Sequence, residues 1–229
     1  MKNDSYLVYG VLSTNNEQQM YNITQIEREL TKRLSLPYQW GQKQNNIDDQ
    51  LTSFIYDIQL FDELLELLNN RFLNQVDLKH YALNRWYNFW SAIAVEQIFC
   101  SQPNVKPCSN NKDKKADFYL KGIRFDHKTT IFPYGFKQSW SYAHNNPQEL
   151  IKWLYLHQSQ QGRKHLSNRL FIVLYDKNGA HWKLKSNITW LKTGVDNYVD
   201  NFDIKQLFGF TFLPNKVSWA DVLFLEGEF

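Results

Sequence analysis

Residues 170–175 read Leu-Phe-Ile-Val-Leu-Tyr, apolar at every position with no alternation between faces. A strand of that composition has to be covered on both sides, so it belongs at the centre of a sheet held between layers. The neighbouring segments supply the cover. Apolar residues at helical spacing mark helices over residues 20–36 (Ile23, Ile26, Leu30, Leu34), 61–72 (Leu64, Leu65, Leu67, Leu68) and 78–99. The first ends before Pro37, and Asp77 suits the cap of the third. Pro147 fits a first helical position and opens a fourth helix to about residue 160, with Gly162 as its stop.

Between the third and fourth helices, residues 117–121 and 123–131 read as strands joined near Gly122. The second alternates, with Ile123, Phe125, His127, Thr129 and Ile131 on one face and Arg124, Asp126, Lys128 and Thr130 on the other. Residues 6–12 and 181–185 are further strand candidates, 51–60 fit either strand or helix, and 100–115 read as loop. The part beyond residue 193 reads as a closing helix or meander. The order helix, strand, strand, helix, strand predicts an α/β protein with a mixed sheet flanked by helices. Residues 1–76 form an N-terminal, mostly helical extension packed on a core of residues 77–229, and no stretch between them is long enough to be a linker.

Composition narrows the function classes. With 8 Trp, 13 Tyr and 16 Phe in 229 residues, a disordered chain is excluded. Twenty-six basic against 23 acidic side chains give a net charge of +3, far from proteins that bind nucleic acid by bulk charge. Any such contact has to come from local clusters. Cys100 and Cys108 are too few for a disulfide framework and form neither a CxxC unit nor a zinc spacing, so they read as reduced and structural. The first residues lack the apolar run of a signal peptide, and no segment has the apolar length of a membrane span. The chain reads as cytoplasmic.

The hairpin concentrates the chemistry. If Lys121 and Gly122 form a two-residue turn, Leu120 pairs with Ile123 and Asp117 falls directly opposite Asp126 on one face. Opposed carboxylates repel by a few tenths of a kcal/mol to about 1 kcal/mol. A divalent cation between them reverses the sign, and Mg²⁺ favours one or two carboxylates with water and substrate phosphate. Lys128, two residues beyond Asp126, projects on the same side, near such a cation and a phosphate. On this reading Asp126→Ala leaves stability unchanged or raised in metal-free buffer. Upstream, Glu96 lies within an apolar helix stripe of Phe89, Ala92, Ile93, Phe99 and Cys100, where a carboxylate needs a cation, a metal or a proton donor.

Glu96, Ala116-Asp117 and Asp126-His127-Lys128 together resemble the motifs of the PD-(D/E)xK nuclease superfamily, the restriction-endonuclease-like fold. Ala116 stands where that motif has proline, and the resemblance covers residues 83–175. It implies an αβββαβ core and a Mg²⁺-dependent DNA endonuclease, with Mn²⁺ as substitute. It implies metal ligation by Asp117, Asp126 and the His127 carbonyl, a ligand or water-positioning role for Glu96, and a catalytic role for Lys128. A homodimer would suit cutting of both strands.

Around this set, Gln158 is a candidate accessory group for water or substrate, and Arg163, Lys164 and His165 are candidate phosphate contacts at a polar helix end. Arg124, paired with Tyr119 across the hairpin, is placed to touch nucleic acid. Arg169, Lys183 and Lys185 are weaker phosphate candidates, and the side chain of His127 reads as a core or supporting histidine. The aromatic run Arg85, Trp86, Tyr87, Phe89 and Trp90 fits either base stacking or helix packing. The competing reading is a non-catalytic nucleic-acid-binding or assembly module on the same fold.

Overall fold

A computed structural model describes residues 21–108, 116–157 and 166–229. In chain order it contains α1 (Ile23–Arg33), α2 (Asn46–Leu51), α3 (Phe61–Arg71), α4 (Val76–Cys100), β1 (Val105–Pro107), β2 (Phe118–Leu120), β3 (Ile123–Ile131), α5 (Trp140–Asn145), α6 (Pro147–Leu156), β4 (Arg169–Asp176), α7 (Ile188–Asn201), β5 (Phe208–Leu213) and β6 (Lys216–Gly227). Short 3-10 turns occupy Ser53–Tyr56, Tyr134–Phe136, His181–Ser186 and Ile204–Gln206. The molecule is a mixed α/β fold with one six-stranded sheet in the order β1-β2-β3-β4-β6-β5. β3, β4 and β6 run parallel, and the outer pairings are antiparallel.

β4 takes the central place its composition demands, buried at seven of its eight positions between β3 and β6. Its two faces feed two cores. Leu170, Ile172 and Leu174 join α1, α3, α4 and α7 in the larger, and Phe171 and Val173 join α5 and α6 in the smaller. The N-terminal helices are part of the first core: Ile26, Leu30, Leu64 and Leu68 pack with Tyr81, Trp86 and Trp90 of α4. Trp86, Tyr87 and Trp90 are buried, so helix packing, not base stacking, accounts for that aromatic run.

Several expectations change. Residues 181–185 form a 3-10 turn and not a strand, with Leu184, Lys185 and Ser186 buried in succession where a strand would alternate. The 100–115 region holds β1, whose register is fixed by β2. α4 begins at Val76, with Asp77 in its first turn and Gln75 at the cap position. α6 ends at Leu156. The strand expected at 6–12, Gly162, Gln158, Arg163, Lys164 and His165 lie outside the described residues. Cys100 and Cys108 are both half-buried. No helix among the described residues is long and apolar enough to cross a membrane.

Candidate active site

The β2–β3 hairpin turns at Lys121 (φ 45°) and Gly122 (φ 82°), both left-handed, as a two-residue turn between right-twisted strands requires. The lysine is tied down by its ammonium, which donates to the Phe202 carbonyl. Leu120 pairs with Ile123 and Tyr119 with Arg124, and the ladder ends at Phe118 against Phe125. Asp117 does not continue it. Its N–H donates to the Phe125 carbonyl (2.8 Å), one residue short of Asp126, and its own carbonyl accepts from Cys108 N–H (3.0 Å). The expected opposition of Asp117 and Asp126 within the ladder is therefore absent.

The early end of β2 leaves the next backbone donor of β3 to a side chain. Asp117 Oδ2 accepts from the His127 N–H and from its Nδ1, each at 2.7 Å. With Nδ1 as donor, His127 Nε2 is buried without a partner among the described residues. The imidazole sits under α4, near the rings of Phe99 and Phe118 (6.3 and 6.2 Å between centroids). Burial works against its charged form, yet Asp117, then Glu96 and Asp126, together raise its pKa. Asp117 is held low: burial opposes, and the charge and hydrogen bonds of His127, with Arg169 behind them, prevail.

Asp126 faces the other way. The parallel register sets it beside Arg169 at the start of β4, and Asp126 Oδ2 accepts from Arg169 Nε (3.0 Å) and Nη2. That guanidinium is 5% exposed and lies 6.0 Å from the Tyr155 ring of α6. Glu96, half-buried on α4, feels the charges of His127, Asp117 and Asp126, and burial raises its pKa. Lys128 keeps access to solvent, while the protein around it and then Arg169 lower its pKa against the pull of Asp126 and Asp117.

Asp117 and Asp126 thus lie within electrostatic reach of Glu96 and His127 on one side and of Lys128 on the other. Arg124 is half-buried opposite Tyr119, away from this group along β3. Sequence reasoning ranked Arg169 low, because its link to Asp126 depends on a strand register 43 residues away. Among the described residues no three His, Cys, Asp or Glu side chains gather tightly enough to hold a metal by themselves. In both aspartates Oδ2 takes the bonds and Oδ1 accepts none from the described residues, so each retains one hard oxygen for a cation.

Comparisons with protein-family models, with curated proteins and with solved structures return no match for this chain.

Proposed function

We propose that the chain is a metal-dependent phosphodiesterase that cuts DNA, of the restriction-endonuclease-like kind. The observation that carries this reading is the gap at the end of β2, where Asp117 takes the edge of β3 beside Asp126-His127-Lys128. The order α4, β1, β2, β3, α6, β4 supports it, since it follows the αβββαβ plan with one short helix added before α6. Mg²⁺, or Mn²⁺ in its place, would be held by Asp117, Asp126 and the His127 carbonyl, with Glu96 behind. When bound, such an ion lowers the pKa of water and polarises the phosphate.

The chain's own residues do the rest. His127 fixes the Asp117 carboxylate through two hydrogen bonds, and Arg169 fixes that of Asp126. Lys128, solvent-accessible and cationic, stabilises charge on the phosphate oxygens. DNA is the proposed partner, and a homodimer the arrangement suited to two cuts.

Plasmid and linear DNA incubated with Mg²⁺, Mn²⁺ or EDTA test this. We expect cutting with either metal, none in EDTA, and a loss of about 100-fold or more in Lys128→Ala, the scale of one charge-stabilising group. A second reading has its own support: both aspartates already have resident partners, His127 and Arg169, as a non-catalytic nucleic-acid-binding or assembly module would keep them. Salt-sensitive DNA binding without cutting in either metal would move the conclusion there.

A further inference from the structure

β3 and β4 run parallel, and the connections that leave their C-terminal ends part to opposite faces of the sheet. After Ile131 the chain passes to α5 and α6 on the side of the smaller core. After Asp176 it passes to the His181–Ser186 turn and α7 on the side of the larger. Parting connections leave a crevice between adjacent strand ends, which is where open α/β sheets take their ligands. Here it is a cleft of about 480 Å³, a size usual for small-molecule sites, with Phe132, Pro133, Tyr134, Lys137 and Gln138 on one side and His181 on the other. From Asp126 to Ile131 is roughly 16 Å along β3, so the cleft and the candidate active site sit at opposite ends of the strand.

The walls are fixed before anything enters. The Phe132 ring packs against Trp140 and Tyr175 (5.3 and 5.8 Å between centroids), and Tyr175 stacks on His181 (5.0 Å). The Asp176 N–H donates to His181 Nδ1 (2.8 Å), so the neutral ring carries its proton on Nε2. Burial favours that neutral form against the charge of Asp176. The Nε2–H, the Lys137 ammonium and the Gln138 amide have no protein acceptor among the described residues. The ammonium rests 3.9 Å from the centre of the Tyr134 ring, which is 88% exposed. Lys137 keeps this place at φ 61°, in the left-handed region that glycine enters more cheaply. No Asp or Glu is among the described residues that line the cleft.

We propose that this cleft binds a nucleoside monophosphate, its base on the exposed Tyr134 ring and its phosphate taking hydrogen bonds from Lys137 and His181. A flat aromatic body matches the ring and the apolar wall of Phe132 and Pro133. A compact anion matches an ammonium, which meets phosphate as a point charge, among donors with no carboxylate to oppose it. The nucleotide comes either free from solution or as an unpaired residue of a strand, and the same groups serve both. The site does not depend on phosphodiester cutting at Asp117 and Asp126.

Isothermal titration calorimetry on the whole chain in metal-free buffer tests this, with uridine monophosphate, uridine, inorganic phosphate and benzoate as probes. Wild type should bind the nucleotide at least tenfold more tightly than any of the other three. Tyr134→Ala, at an exposed position, should weaken the nucleotide about tenfold, the scale of one lost base stack. Lys137→Gly should weaken it tenfold or more while Tm holds or rises, because glycine relieves the left-handed backbone. A lysine that served the fold alone would instead lower Tm on removal and leave the affinity unchanged. No nucleotide binding by wild type, phosphate or benzoate binding as tightly as the nucleotide, or an unchanged affinity in either variant overturns the proposal. A single-stranded oligothymidylate separates the two sources. Displacement of the bound nucleotide assigns the cleft to a strand, no displacement assigns it to the free nucleotide, and both uphold the site.

Discussion

Helix α4 holds two buried cations one turn apart, and the fold treats them differently. Arg33, from α1, is fully buried and donates to the Leu36 carbonyl (2.9 Å), the Pro37 carbonyl (3.0 Å) and Asn84 Oδ1 (2.8 Å). Its guanidinium also lies 5.7 Å from the centre of the Trp182 ring. Lys185, from the same turn as that tryptophan, has Asn88 Oδ1 for its ammonium. Neither cation has a carboxylate partner among the described residues. A guanidinium held by three oxygens and a ring face belongs to the architecture, even with its Nε buried without a partner among the described residues. An ammonium with one acceptor is held by less, and its proton is the part of it the fold retains least firmly.

The largest effect should come from Arg33. Arg33→Met leaves the oxygens of Leu36, Pro37 and Asn84 facing an apolar side chain, a loss of about 2–4 kcal/mol in urea unfolding. A loss below about 1 kcal/mol would break the comparison, because Arg33 would then be as dispensable to the fold as Lys185.

Asp126→Ala comes next and sharpens the boundary between structural and functional charge. The sequence alone predicts no loss of stability, since removing one of two opposed carboxylates relieves repulsion. The pairing with buried Arg169 reverses the sign: the variant takes the Asp126 bonds from that guanidinium and should lose about 1–3 kcal/mol in EDTA. An unchanged or raised Tm would show Asp126 held at a cost, as a metal ligand is.

That reversal marks where the sequence stops being legible. Local pattern is enough for α1, α3, the start of α6, the alternation of β3 and the uniform burial of β4, because 3.6-residue and two-residue periods survive in the sequence. The Lys121-Gly122 turn and the pairing of Tyr119 with Arg124 follow from the same local rules. β1 is not visible this way: three residues carry no period, and its strand state comes from pairing with β2. His181–Ser186 misleads, because charged and apolar residues alternate along a segment that is wound in 3-10 form. Of the candidate site, the proximity of Asp117, Asp126 and Lys128 is readable along the hairpin, while Asp117's turn towards His127 and Arg169's hold on Asp126 need the register of distant strands. Lys185 looks like a surface lysine until its burial is known.

A smaller effect separates Lys185 from Arg33 by pH. The folded pKa of Lys185, about 7, lies below the ordinary lysine value of about 10.4. Between those values the unfolded chain binds more protons than the folded one, so stability contributed through this group rises with pH. The penalty is complete below about pH 7 and is relieved above it, by roughly 1 kcal/mol over the first pH unit. Wild type should therefore gain on Lys185→Met between pH 7 and 8 in parallel denaturant titrations. A constant difference across that range would mean that Lys185 keeps its proton as firmly as Arg33 does.

The smallest effect belongs to Asn88. Its Oδ1 accepts from Lys185, so Asn88→Ala removes an acceptor from a lysine that has an escape. At pH 8 the amine is mostly neutral and the lost bond is an ordinary one, about 0.5–1 kcal/mol. At pH 6 the ammonium loses its acceptor while charged, and the cost approaches the 1.5 kcal/mol or so of a charge-assisted bond. Asn84→Ala, one turn away, has no such escape, because a guanidinium does not shed its proton and its cost stays level over the same range. Equal pH dependence in the two variants would place Lys185 with Arg33 among the cations that keep their charge throughout this range.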